Sequence, residues 1–126
     1  MLKKRGLMAN FEEKRRYGRI HGRFALKYKD MRKKNEEFRG TVSKNLSAGG
    51  VRFRSDRFIS LACRLVVELN VPELTEPIRA VSKIAWIKKL PAGDDYEVGN
   101  QFLEISRRDR EIIQNMVNTE STGDSL

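Results

Sequence analysis

GRFALKYKDMRKKNEEFRGTVSKNLSAGGVRFR, residues 22–54, carries the pattern from which the fold is read. Over residues 22–30, Phe24, Leu26 and Tyr28 fall on one parity and Lys27 and Lys29 on the other, the period-two signature of a strand with one buried face. A polar loop over residues 32–37 separates it from a second strand over 38–44. Residues 50–54 form a third, with Val51 and Phe53 alternating against Arg52 and Arg54. Between the second and third, Asn45-Leu46-Ser47-Ala48-Gly49-Gly50 reads as a hairpin loop. Paired glycines permit a tight reversal, and Asn and Ser side chains bond to their own backbone in turns.

Further along, residues 63–70 give a fourth strand, and Pro72 and Pro77 bracket a turn. In residues 78–88 the parities are mixed: Ile78, Ala80 and Ser82 share one, and the apolar face is not clean until Ile84, Trp86 and Lys88, which predicts a twist or bulge near Ser82. A turn at 91–95 leads into a sixth strand, 96–105, where Gly99 marks a close approach or a bend. From Ser106 the period changes. Ser106 stands as an N-cap with Asp109 three residues on, and Ile112, Ile113, Met116 and Val117 recur at helical spacing. That apolar stripe must be buried on the open end or flank of the strands. Residues 119–126 read as a polar tail and residues 11–16 as a short helix leading into an Arg-rich linker. The expectation is mainly β: six antiparallel strands that close, or nearly close, on themselves, because closure removes edges that would pair with other chains.

The chain has 126 residues and 26 Lys plus Arg against 17 Asp plus Glu, net +9, which fits one small basic domain. The charge is uneven: residues 1–44 hold 15 Lys or Arg and 5 Asp or Glu, net +10, so the remaining residues sum to −1. A local positive field of this kind points to an anionic partner. No apolar run is long enough to span a bilayer, so a cytoplasmic protein without membrane insertion is expected. Cys63 is the sole cysteine and His21 the sole histidine, which excludes an intrachain disulfide and a cysteine- or histidine-rich metal centre. Cys63 reads as a buried structural thiol. No nucleophile has a plausible base, so neither catalysis nor a cofactor is expected.

Two short stretches carry ligand chemistry. In Arg15-Arg16-Tyr17-Gly18-Arg19, two guanidinium groups sit four residues apart on a chain loosened by Gly18. A guanidinium donates two parallel hydrogen bonds, keeps its charge at any physiological pH and stacks on a base, so it suits both phosphate and the O6/N7 edge of guanine. In the second stretch Asn45 offers an amide donor and acceptor, Ser47 a hydroxyl, and Gly49 and Gly50 let backbone N–H groups approach a ligand. Either stretch alone also fits a solvated basic arm or an ordinary hairpin.

Together, R-x-x-x-R at Arg15 and Arg19 followed about 25 residues later by N-x-S-x-x-G at Asn45, Ser47 and Gly50 resembles the PilZ family. The resemblance continues through residues 69–72, Ala85-Trp86 and Val98-Gly99-Asn100-Gln101-Phe102, and covers roughly residues 12–118. It implies a six-stranded antiparallel β-barrel with a C-terminal α-helix and a flexible Arg-rich N-terminal arm. The layout would be an arm over residues 1–21, a barrel with its helix over 22–118 and a polar tail over 119–126. It implies a non-enzymatic bacterial receptor for the second messenger cyclic di-GMP, whose arm folds across the ligand and signals to a protein partner in motility, biofilm or virulence control. By matching position, Arg15 and Arg19 would contact phosphate and the guanine Hoogsteen edge, with Arg16 against a base. Asn45 and Ser47 would bond the other guanine region, and Gly49 and Gly50 would keep the surface open. Trp86 reads as a core or rim anchor, His21 as a neighbour of the arm, and Arg52 and Arg54 as residues that extend the positive surface. The alternatives are a small basic barrel that binds single-stranded nucleic acid, and a PilZ-like adaptor that binds only protein.

Overall fold

Burial follows the alternation. The computed structural model describes residues 23–125. In β1 (Ala25–Asp30), Leu26 and Tyr28 are buried while Lys27 is exposed. In β3 (Gly50–Ser55), Val51 and Phe53 point inward and Arg52 and Arg54 outward. With β2 (Arg39–Ser47), β4 (Arg64–Asn70), β5 (Ile78–Lys89) and β6 (Tyr96–Ile105), these strands form a closed barrel in the order β1-β2-β3-β6-β5-β4. Every neighbouring pair is antiparallel, and the β1–β4 ladder from Ala25↔Asn70 to Asp30↔Leu65 completes the closure. The interior is filled by the chain's own side chains, among them Leu26, Leu46, Phe53, Leu65, Ile84 and Val98. Each such side chain contributes roughly 1.5–3 kcal/mol by leaving water. Tyr28 stacks on Phe53 with ring centroids 4.7 Å apart, and its hydroxyl reaches Ser55 Oγ at 3.1 Å.

Three bulges decide which residues face out. Ser43 pairs with Phe53 but Asn45 with Arg52, so Lys44 is extra in β2. Val81 pairs with Glu104 but Ser82 with Phe102, so Leu103 is extra in β6, beside Ser82 where the mixed parity predicts an irregularity. Ile84 pairs with Asn100 but Trp86 with Gly99, so Ala85 is extra in β5. This extra residue in β5 carries Trp86 to the outer wall, where it is 40% exposed and packs on Gly99; of the core and rim positions expected for it, the core is not the one it takes.

A second correction concerns β2. It runs to Ser47, so Asn45, Leu46 and Ser47 are strand residues, and the connection to β3 is only Ala48-Gly49. The bulge at Lys44 breaks the period-two pattern and makes a continuing strand look like a loop.

Antiparallel order gathers the start of β1, the β2–β3 turn, the β4–β5 connection and the end of β6 at one end of the barrel. There α1 (Arg107–Ser125) packs, with Ile113 and Val117 buried and Ile112 and Met116 partly so. Ser106 Oγ accepts the amide of Asp109 at 3.0 Å as an N-cap. The Asp109 carboxylate does not return to the cap but accepts from Arg79 N at 3.4 Å, tying the helix to the start of β5. Residues 119–125, read from the sequence as a tail, continue the helix. Polar side chains do not stop a helix, and extension past a formed turn is easy, so the helix runs on through Gly123 to Ser125.

Candidate functional site

Directly paired residues on adjacent strands share a face. Asn45 is paired with Arg52, Arg52 with Gly99, and Gly99 with Trp86, so one row crosses β2, β3, β6 and β5 on the outside of the barrel. Three strand spacings make this row about 14 Å wide. A second row beside it runs Ser47, Gly50, Gln101, Lys83. Four of the sequence-predicted residues, Asn45, Ser47, Gly49 and Gly50, are thereby together at the helix end of this wall. Arg15, Arg16 and Arg19 lie outside the described residues, as do Tyr17 and His21.

The two polar side chains of the motif differ. Ser47 Oγ accepts from Gly49 N at 3.1 Å and stands 3.4 Å from Gly50 O, so the hydroxyl is engaged within its own turn. Asn45 Oδ1 is buried and has no hydrogen-bond partner among the described residues. Leaving such an acceptor unpaired costs about 1–3 kcal/mol. The glycines also have separate reasons. At Gly50 a Cβ would collide with the Asn100 carbonyl oxygen, because β3 and β6 approach closely there. At Gly99 a Cβ would collide with the Trp86 indole, which lies flat across the glycine. Gly50 is thus demanded by strand packing, whereas Gly99 makes room for an exposed aromatic face.

Charge along the wall is mixed. Glu97 Oε2 accepts from Lys44 Nζ at 3.0 Å and stands 3.5 Å from Arg52 Nε, an ion pair without hydrogen-bond alignment. Arg54 pairs with Asp95 at 2.8 Å. Arg52 therefore borders Asn45 with a loosely held guanidinium, while Arg54 is committed further down the strand. Trp86 and Arg52 are the wall residues that sequence reasoning did not assign to a site. The signal was the exposed parity of Arg52 and the Gly99-Trp86 pairing, and the latter is hidden by the bulge at Ala85.

The chain enters this region directly. Ser43 Oγ accepts from Phe24 N at 3.1 Å, and Phe24 O accepts from Ser43 N at 2.9 Å, two residues before Asn45. Elsewhere, Cys63 is buried, and burial together with the neighbouring Asp30 carboxylate pushes its thiol up, away from reactive thiolate. Among the described residues no group of acidic, histidine or cysteine side chains could hold a metal ion.

A barrel this narrow, packed solid by its own side chains, belongs to the class of small antiparallel barrels that present their interaction surfaces on the outside. The family model described as PilZ domain matches residues 13–119, and the chain belongs to that family. The structure is similar to that of Bacillus subtilis MotI/DgrA, an inhibitor of motility, with a TM-score of 0.74 and 18% identity over 86% of this chain and 52% of that one. It is similar to Escherichia coli YcgR in complex with c-di-GMP, with a TM-score of 0.69 and 16% identity over 88% of this chain and 47% of that one. It also matches the PilZ domain of YcgR with c-di-GMP, with a TM-score of 0.62 and 16% identity over 89% of this chain and 98% of that one. The chain spans about half the length of the MotI/DgrA and full YcgR chains. No curated protein matches it.

Proposed function

We propose that the chain is a cytoplasmic, non-enzymatic receptor for cyclic di-GMP that signals to a protein partner, with the ligand on the outer wall at the helix end. The observation that carries this reading is the buried, unpartnered Asn45 Oδ1, set in a row with Arg52 and the Trp86 face, where the chain arrives from R-x-x-x-R. A guanine presents ring and exocyclic N–H donors that satisfy such an acceptor. Arg15 and Arg19 supply the phosphate clamp and Hoogsteen contacts, and Arg16 contacts a base. Asn45 and Ser47 fix the other guanine edge, Gly49 keeps the turn open, and the packing of Gly50 against β6 sets the depth of the surface. Membership of the PilZ family and the c-di-GMP held by YcgR support this assignment. That MotI/DgrA is an inhibitor of motility supports an output through a protein partner, with control of motility, biofilm or virulence as its setting.

Isothermal calorimetry tests the reading. Saturable binding of cyclic di-GMP, and none of cyclic di-AMP or GTP, is expected. Arg15→Ala and Arg19→Ala should each weaken it at least tenfold, since a hydrogen bond to a charged group contributes about 1.5–3 kcal/mol. Asn45→Ala should weaken binding about tenfold while leaving urea stability equal or higher, because it removes an unsatisfied buried acceptor. Unchanged affinity in both arginine variants overturns the clamp. Single-stranded nucleic acid is the poorer fit, because successive bases need successive stacking faces and the row holds one indole.

A further inference from the structure

We infer that Arg110 of α1 is a positioning residue for the ligand turn, so that helix and wall act as one unit. Its Nη1 donates to Ala48 O at 3.0 Å across 62 positions of sequence. Ala48 is 1% exposed and lies between Ser47 and Gly49. The polar groups of Gly49 are held from within the turn and the sheet: Gly49 N by Ser47 Oγ at 3.1 Å, and Gly49 O by Phe102 N at 2.9 Å. The Ala48 bond is thus the one of these three that comes from outside the barrel.

The guanidinium is presented from a fixed base. Arg110 N donates to Ser106 O at 2.9 Å in the first turn of α1, the Ser106 hydroxyl caps that turn, and Asp109 ties it to β5. Three residues on, Ile113 is fully buried. A buried carbonyl that loses a charged donor must turn to find another, and in a two-residue connection that rotation moves Ser47 and Gly49 with it. A ligand that needs the turn in its present shape is therefore bound more tightly while Arg110 is in place. By reciprocity the ligand strengthens the seating of α1. Arg110 acts through the carbonyl and not on phosphate, which separates it from the arginines of R-x-x-x-R.

The inference rests on the proposed cyclic di-GMP site, and two measurements keep their failures apart. Hydrogen exchange on the ligand-free protein reads the turn without ligand: Arg110→Met, which keeps the aliphatic stem, should speed exchange of the Gly49 and Gly50 amides severalfold. Calorimetry with cyclic di-GMP should then show affinity about tenfold weaker in Arg110→Met, with an unaltered dependence on salt, and partly recovered in Arg110→Lys. Arg107→Ala removes an exposed charge from the same helical turn without touching Asp109 and should change neither readout, which excludes a general field effect. Unchanged exchange at the turn in Arg110→Met overturns the inference, as does wild-type affinity. A flattened salt dependence with unchanged exchange would make Arg110 a phosphate contact. If the parent protein binds no cyclic di-GMP, the proposed function fails and the exchange result still decides the role of Arg110.

Discussion

At the helix end of the barrel, Phe24, Val71, Leu74, Ile112 and Met116 line an apolar groove of about 500 Å³. At the opposite end a cavity of the same size, about 500 Å³, is lined by Tyr28, Glu37, Arg39, Arg54, Asp56 and Asp95. The first end is held by burial of Ile113 and Val117. The second is held by ion pairs: Arg54–Asp95 at 2.8 Å, Arg57–Glu36 at 3.6 Å and Arg39–Asp56 at 3.7 Å. Burial of apolar surface is indifferent to pH and gives the ligand turn a fixed support, whereas half-exposed ion pairs weaken with salt and contribute little each. The candidate site thus sits at the end whose scaffold is firm and whose hydrogen bonding is incomplete at Asn45.

The sharpest way to break this contrast is to cut one group from each end. Ile113→Ala leaves a cavity beneath the helix and should cost about 2–4 kcal/mol in urea unfolding. Asp95→Ala removes the shortest of those three pairs at the other end, where Arg54 is half exposed, and should cost no more than about 1 kcal/mol. Equal losses would mean that the ionic end carries as much of the fold as the helix does.

How much of this was legible beforehand depended on uninterrupted alternation. Val51 and Phe53 are placed inward correctly because no extra residue breaks the parity of β3, and β6 is read to its observed ends, despite the bulge at Leu103, because the turn before it and the Ser106 cap after it mark them. The stretch 45–47 is misread because Lys44 bulges, and the same bulge is what turns Asn45 onto the outer face beside Arg52. The type of site could therefore be seen in the residues Asn45 and Ser47, but not the surface on which they stand. Trp86 was hidden in the same way by Ala85. The bond from Arg110 to Ala48 had no local signal, since it exists only once β3 pairs with β6, some fifty residues on, and brings the end of β6 beside the β2–β3 turn.

A smaller effect sharpens the contrast from the ionic end. Cys63 N donates to Ser60 O at 3.1 Å, closing a four-residue turn in which Ala62, at φ 67°, occupies the left-handed position that a type II turn reserves for glycine. Ala62→Gly relieves that strain but loosens the unfolded chain, so the net gain should be roughly 0.5–1 kcal/mol, seen as a Tm higher by a few degrees. A lower Tm would show that the turn is not strained and that this end is better optimised than its ion pairs indicate.

The smallest effect is a pH limb that belongs to the same end. Asp30 accepts from Arg32 N at 2.9 Å and from the Arg32 guanidinium at 3.1 and 3.3 Å, and Cys63 Sγ stands 3.5 Å away. The Arg32 side chain, more than any other group, holds the Asp30 carboxyl down to about 2 from an ordinary value of 3.8. A carboxylate more acidic in the folded state than in the unfolded one stabilises the fold above its unfolded value, and that contribution disappears as pH falls through the folded one. Stability should therefore drop between about pH 4 and pH 2, and in Asp30→Asn the drop over that window should be shallower, since no proton is taken up at residue 30. Urea midpoints at pH 5, 3.5 and 2.5 for both proteins measure the two slopes. Parallel slopes would mean that the acid sensitivity does not arise at Asp30, and the pairing with Arg32 would lose its place in the stability of this end.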